Sequence, residues 1–124
     1  MQKLKLLLVE DELILAEMYK DRFEKEGFEM IIAFDVEEGL KLAKKEKPNL
    51  IILDILLPKE NGVSFLQKMK RVPKIADTPV VVLSNYDEPQ TKQEAKGLGV
   101  KTYLIKTDFT PDQLVSEIKK YLPR

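Results

Sequence analysis

The chain has 124 residues, with 21 basic and 21 acidic side chains and a formal net charge of zero, so it exerts no long-range pull on nucleic acid or anionic membrane. It contains neither cysteine nor histidine, which excludes disulfides, thiolate metal sites, zinc-hydrolase centres, Ser-His-Asp triads and a self-phosphorylating histidine. A hydrophobic fraction of 44% beside 34% charged residues suits one soluble domain, and leaves acid–base or metal chemistry to carboxylates, hydroxyls and lysines.

The stretch Met1 to Lys5 leads into only a short apolar run before Glu10, so neither a signal peptide nor a membrane span is expected. Leu4 to Val9 reads as a buried first strand, ended by Glu10-Asp11-Glu12. A helix follows with Leu15, Met18, Tyr19, Arg22 and Phe23 at helical spacing, Asp11 as its cap and Gly27 as its stop. Phe28 to Phe34 is the second strand. Asp35 caps the second helix, with Glu38 completing a capping-box pattern, Leu40, Leu42 and Ala43 inward, and Pro48 beyond its end.

Leu50 to Asp54 is the third strand, and it breaks off at a single carboxylate. Asn61-Gly62 leads into the third helix, with Phe65, Leu66 and Met69 inward and Pro73 closing it. Thr78-Pro79 opens a fourth strand, Val80 to Leu83, ending at Ser84. Asp87 begins a short, polar fourth helix with Ala95 and Leu98 as its core residues, ended by Gly97 and Gly99; it should be the least firmly held element. Thr102 to Ile105 is the fifth strand, ending at Lys106. Thr110-Pro111-Asp112-Gln113 is a capping box for a last helix carrying Leu114, Ile118, Tyr121 and Leu122 on one face, with Pro123 as its stop.

Strands alternating with helices across short loops imply right-handed crossovers and an α/β fold. The expected architecture is a doubly wound five-stranded parallel sheet with five helices, (βα)5 and flavodoxin-like, in one domain over residues 1–124. In such a sheet all strand carboxyl ends share one edge. Glu10 and Asp11, Asp54, Ser84 and Lys106 therefore converge. Clustered carboxylates repel one another, and a hard cation relieves this. Mg2+ suits such oxygen donors, with Asp11 and Asp54 as direct ligands, Glu10 through water and the Leu56 carbonyl as a further oxygen. Ser84 and Lys106 would then donate to an anion over Asp54, which describes a phosphoryl site.

Those residues, in that order, resemble a response regulator receiver domain of two-component signalling over essentially the whole chain. The matching motifs are Val9-Glu10-Asp11-Glu12, Asp54 with Pro58 and Gly62, Ser84, and Tyr103-Leu104-Ile105-Lys106. The resemblance implies that Asp54 accepts a phosphoryl group from a sensor histidine kinase or a histidine phosphotransfer protein. It implies Mg2+ on Glu10 and Asp11, Ser84 and Lys106 on the phosphoryl oxygens, and Tyr103 as an aromatic switch for the 84–106 region. Such a protein is cytoplasmic and catalyses only its own phosphorylation and dephosphorylation. It acts on a downstream protein target without direct nucleic-acid or membrane contact, as a monomer or a phosphorylation-promoted dimer.

Some positions depart from the family pattern. Thr107 follows Lys106, where proline after a cis bond is usual; a non-prolyl cis bond costs about 3–4 kcal/mol, so a trans bond and a displaced Lys106 are expected. Asn85 follows Ser84, where a small residue is usual, and should narrow access. Bulky Leu56 and Tyr86 should shield the acyl phosphate from water. Leu13 should meet the kinase's histidine helix. Thr107 and Asn85 also leave open a phosphate-independent adaptor of the same fold. A flavodoxin-like redox protein would want a Ser/Thr/Gly-rich loop where this chain has Glu-Asp-Glu, and a phosphohydrolase a second acid beside Asp54.

Overall fold

Aliphatic runs without alternation form the strands, because both faces of the sheet are covered. The computed structural model describes residues 3–122. Lys5–Val9 (β1), Glu29–Ala33 (β2), Leu50–Leu53 (β3), Val80–Ser84 (β4) and Thr102–Ile105 (β5) pair in parallel in the order β2-β1-β3-β4-β5. The connecting helices are Leu13–Lys25 (α1), Val36–Glu46 (α2), Gly62–Met69 (α3), Pro89–Gly97 (α4) and Pro111–Lys119 (α5). This is the doubly wound α/β architecture read from the sequence. The chain winds outward in opposite directions from β1 and β3, so their carboxyl ends flank the switch point.

Alternate residues of each strand feed two cores. Leu7, Val9, Ile51, Leu53, Val80 and Val82 pack with Phe65, Leu66 and Met69 of α3 and Val36 and Ala43 of α2. Leu6, Leu8, Leu50, Ile52, Val81 and Leu83 pack on the other face with Tyr19 and Phe23 of α1 and Leu114, Val115 and Ile118 of α5. All four residues of β3 are buried. Burying such a side chain contributes about 1.5–3 kcal/mol each, so the strand that ends at Asp54 is firmly embedded, as is β4, whose five residues are all buried.

Several boundaries differ from the sequence reading. Phe28 lies outside β2 and tilts against Phe23, ring centroids 5.9 Å apart, while Phe34 is exposed beyond the strand end. The cap position of α1 is Glu12, not Asp11, and no side chain caps it. Met18 faces outward and Ala16 takes the inward place, because the buried stripe of α1 runs through Ala16, Tyr19 and Phe23. Gly27 does stop the helix, at φ 93°.

Asp35 accepts from the Glu38 N–H at 2.8 Å, but the Glu38 carboxylate reaches back to the Phe34 N–H, one residue before the cap. The cap position of α4 is Glu88 rather than Asp87, whose carboxylate pairs with Lys92 instead. Ala95 is the only buried residue of α4, as expected for its weak anchorage. The Thr110–Gln113 capping box forms as read. Tyr121 and Leu122 lie past the end of α5 but still pack on its core. The expected stop at Pro123 and the start of the Met1 to Lys5 stretch fall outside the described residues.

Candidate functional site

The sheet ladder itself sets two acids side by side. The Asp54 N–H donates to the Val9 carbonyl at 3.0 Å, and the Glu10 N–H to the Ala33 carbonyl at 2.9 Å, each one step past its strand's end. Gly62 supports this floor from behind. Its N–H donates to the Ile55 carbonyl at 2.8 Å, and a Cβ there would stand 2.6 Å from the Asp54 carbonyl oxygen. Only glycine lets α3 begin so close to the backbone of Asp54.

Lys106 arrives from β5 and closes the cluster. It opens a 3-10 turn, Lys106–Asp108, and no peptide bond among the described residues is cis. Its ammonium donates to Asp54 Oδ2 at 2.7 Å and to Glu10 Oε1 at 2.5 Å. The displacement expected from Thr107 therefore does not occur: the trans chain still brings Nζ between the two carboxylates, because the long side chain spans the gap. All three side chains are buried, with Lys106 8% exposed.

The electrostatics follow from that burial. Burial pushes the Glu10 carboxyl up to about 7, and the Asp54 charge adds to this, against hydrogen bonds from Lys106 and the Glu12 N–H. Burial pulls the Lys106 ammonium down, but its hydrogen bonds to Asp54 and Glu10 outweigh this and leave it raised. Asp11 is exposed at the mouth. One carboxylate oxygen from each of Glu10, Asp11 and Asp54 lies within 4.8 Å of the others. Three hard oxygen donors at that spacing fit a Mg2+ site, with water free to complete an octahedron.

Ser84 is fully buried at the end of β4, and its Oγ accepts the Tyr86 N–H at 3.1 Å. The Leu56 N–H donates to Asp54 Oδ1 at 3.2 Å, while the Leu56 side chain stands 54% exposed. Tyr103 is half-buried, and its hydroxyl donates to the Tyr86 carbonyl. Burial, followed by the Asp54 and Asp87 charges, pushes that hydroxyl up to about 12. Lys92 of α4 lies 5.8 Å from the ring centroid of Tyr103. Leu13 and Ile14 are exposed on the first turn of α1.

Sequence reasoning missed three of these contacts. The Glu10–Lys106 bond was foreshadowed only by both residues ending strands. The Leu56 N–H to Asp54 Oδ1 bond is a backbone contact that carries no side-chain signal in the sequence. Asn85 was read as an obstruction, yet its Oδ1 accepts the Thr107 N–H at 3.2 Å.

The carboxyl edge of the parallel sheet thus carries an acid triad bridged by a lysine. Residues 6–119 match the response regulator receiver domain family, and the chain belongs to it. It is 32% identical over 119 residues to the sporulation initiation phosphotransferase F of Bacillus subtilis, covering 96% of this chain and 94% of that protein. It is also 32% identical to the probable transcriptional regulator ycf27 of Porphyridium aerugineum, over 100% of this chain but 50% of that protein. Among solved structures, chemotaxis protein CheY4 of Vibrio cholerae superposes with a TM-score of 0.89 at 28% identity, over 98% of this chain and 100% of that one.

The chain thus spans about half the length of the first curated relatives it matches. Those relatives are named transcriptional regulators, so a neutral receiver says nothing about nucleic-acid contact by a longer protein of that kind. No described helix is long and apolar enough to cross a membrane.

Proposed function

We propose that this chain is a single receiver domain that accepts a phosphoryl group on Asp54 from a phosphohistidine of a partner and changes its 84–106 region in response. The observation that carries this reading is the Lys106 ammonium set between Asp54 and Glu10, with Asp11 completing an oxygen cluster around them. A carboxylate oxygen of Asp54 attacks phosphorus, the P–N bond of the partner's histidine breaks, and its electron pair stays on the imidazole. Glu10, Asp11 and Asp54, with the Leu56 carbonyl, would hold Mg2+, which when bound supplies charge neutralisation at the phosphoryl oxygens.

Both oxygens of Asp54 are engaged at rest, Oδ1 by the Leu56 N–H and Oδ2 by Lys106. Lys106 must therefore follow the new charge from the carboxylate to a phosphoryl oxygen. Ser84 exchanges its role as acceptor from Tyr86 for donation to the same group. Loop 84–87 moves with it, and Tyr103 reports the move through its bond to the Tyr86 carbonyl. Exposed Leu13 and Ile14 give the partner's histidine-bearing helix an apolar contact beside the site. The protein is cytoplasmic on this reading.

The test offers acetyl phosphate and Mg2+ and weighs the intact protein. One added phosphate is expected, absent in Asp54→Asn. An unchanged wild-type mass would instead favour the phosphate-independent adaptor.

A further inference from the structure

Ser84 and Lys106 come from different strands, and the residue that follows each one is bonded to the other. Asn85 Oδ1 accepts the Thr107 N–H at 3.2 Å. This is a cross-link between two loops, since β4 and β5 have already ended. Thr107 lies in the three-residue 3-10 turn that begins at Lys106. The leading N–H groups of such a turn have no partner within it. Without Asn85, the Thr107 N–H would turn to water, and the turn would be held to β4 only through the Ser84–Ile105 strand pairing that precedes it.

We infer that Asn85 is a positioning residue for Lys106. Its amide fixes the start of the 3-10 turn against the end of β4, and this aims the Lys106 ammonium at Asp54 while setting Lys106 and Ser84 at a constant separation. The inference rests on the phosphoryl-acceptor reading of the site. It also accounts for two sequence features at once. A residue with an N–H after Lys106 needs an acceptor, and an asparagine after Ser84 provides one.

Asn85 makes its hydrogen bond to Thr107 and to neither carboxylate, and on this inference its effect passes through Lys106 rather than through its neighbour Ser84. This separates it from a general prop of the fold. In Asn85→Ala the Thr107 amide should exchange with deuterium about three- to tenfold faster by NMR, the range commanded by one neutral hydrogen bond. Phosphoryl uptake from acetyl phosphate should slow by a similar factor. Asn85→Asp keeps the acceptor and should keep the Thr107 amide protected. In a Lys106→Met background, Asn85→Ala should have no further effect on uptake.

Unchanged Thr107 exchange in Asn85→Ala overturns the inference, as does slowed uptake that persists at full size in the Lys106→Met background. Wild-type uptake with an equally fast Asn85→Ala overturns the inference alone. A wild-type chain that takes no phosphoryl group overturns the acceptor reading and this inference together.

Discussion

Replacing Lys106 with methionine tests the cluster most directly. The substitution keeps a long apolar stem but removes the ammonium that sits 2.7 Å from Asp54 and 2.5 Å from Glu10. Breaking a buried pair by removing one partner costs about 3–5 kcal/mol. Here the cost depends on pH, because Glu10 can take up a proton. Its folded value, about 7, lies above the ordinary 4.5 of the unfolded chain. Rising pH therefore removes stability between those two values, in wild type and variant alike. Above 7 the wild type levels off.

In Lys106→Met the ammonium that held Glu10 down is gone, so its folded value lies higher still and the decline continues at about 1.4 kcal/mol per pH unit. Lys106 itself is raised above 10.5, so its own contribution is fully present throughout this range. The expected loss is about 2 kcal/mol at pH 6, set by one charge-assisted bond, growing by about 2–3 kcal/mol at pH 9. Urea denaturation followed by circular dichroism measures both. Saturating Mg2+ should return about 2–3 kcal/mol to the variant at pH 9. A gap between the proteins that is equal at the two pH values, or wider at pH 6, refutes the reasoning.

Gly62→Ala places a Cβ against the Asp54 carbonyl oxygen and should cost about 1–3 kcal/mol, read as a lowered denaturation midpoint; an unchanged midpoint would mean α3 shifts freely. Leu56→Asn combined with Tyr86→Ala opens the rim to water and should shorten the life of phosphorylated protein in a mass-spectrometric decay, while an equal or longer life would remove the shielding argument. Tyr103→Phe should lower stability by about 0.5–1.5 kcal/mol and should remove the phenolate transition expected near 12 in an ultraviolet titration of wild type. Persistence of that transition would reassign it to another tyrosine.

The fold was legible because each strand is a short aliphatic run between turn residues, and periodicity marks such runs well. Where two signals competed, the reading erred. Asp11 and Asp87 each looked like caps, yet both stand one residue too early. Asp11 belongs to the acid cluster and Asp87 to an ion pair with Lys92. Met18 fitted the spacing of a buried stripe that Ala16 occupies, since a small residue packs as well against the sheet. At the site, residue types and strand ends gave the participants but not their pairing. Nothing in the sequence says that Lys106 bridges Glu10 as well as Asp54. The Asn85–Thr107 bond is not legible because it joins a side chain to a backbone N–H 22 residues away, and no sequence pattern marks such a pair.

The two backbone bonds that seat Asp54 and Glu10 have a further consequence. Both are continuations of strand pairing, Val9 opposite Leu53 and Val9 opposite Ala33. Distances within the site are thus copied from the register of the sheet. A slip of one residue would carry a carboxylate about 3.3 Å along its strand and turn its side chain to the other face, beyond reach of Lys106. Length changes inside β1 or β3 should therefore abolish the chemistry before they abolish the fold. The opposite rim of the sheet carries no such constraint. Turns there, around Gly27, Pro48 and Gly99, are where peptides can be inserted while the distances between acids and lysine stay as they are.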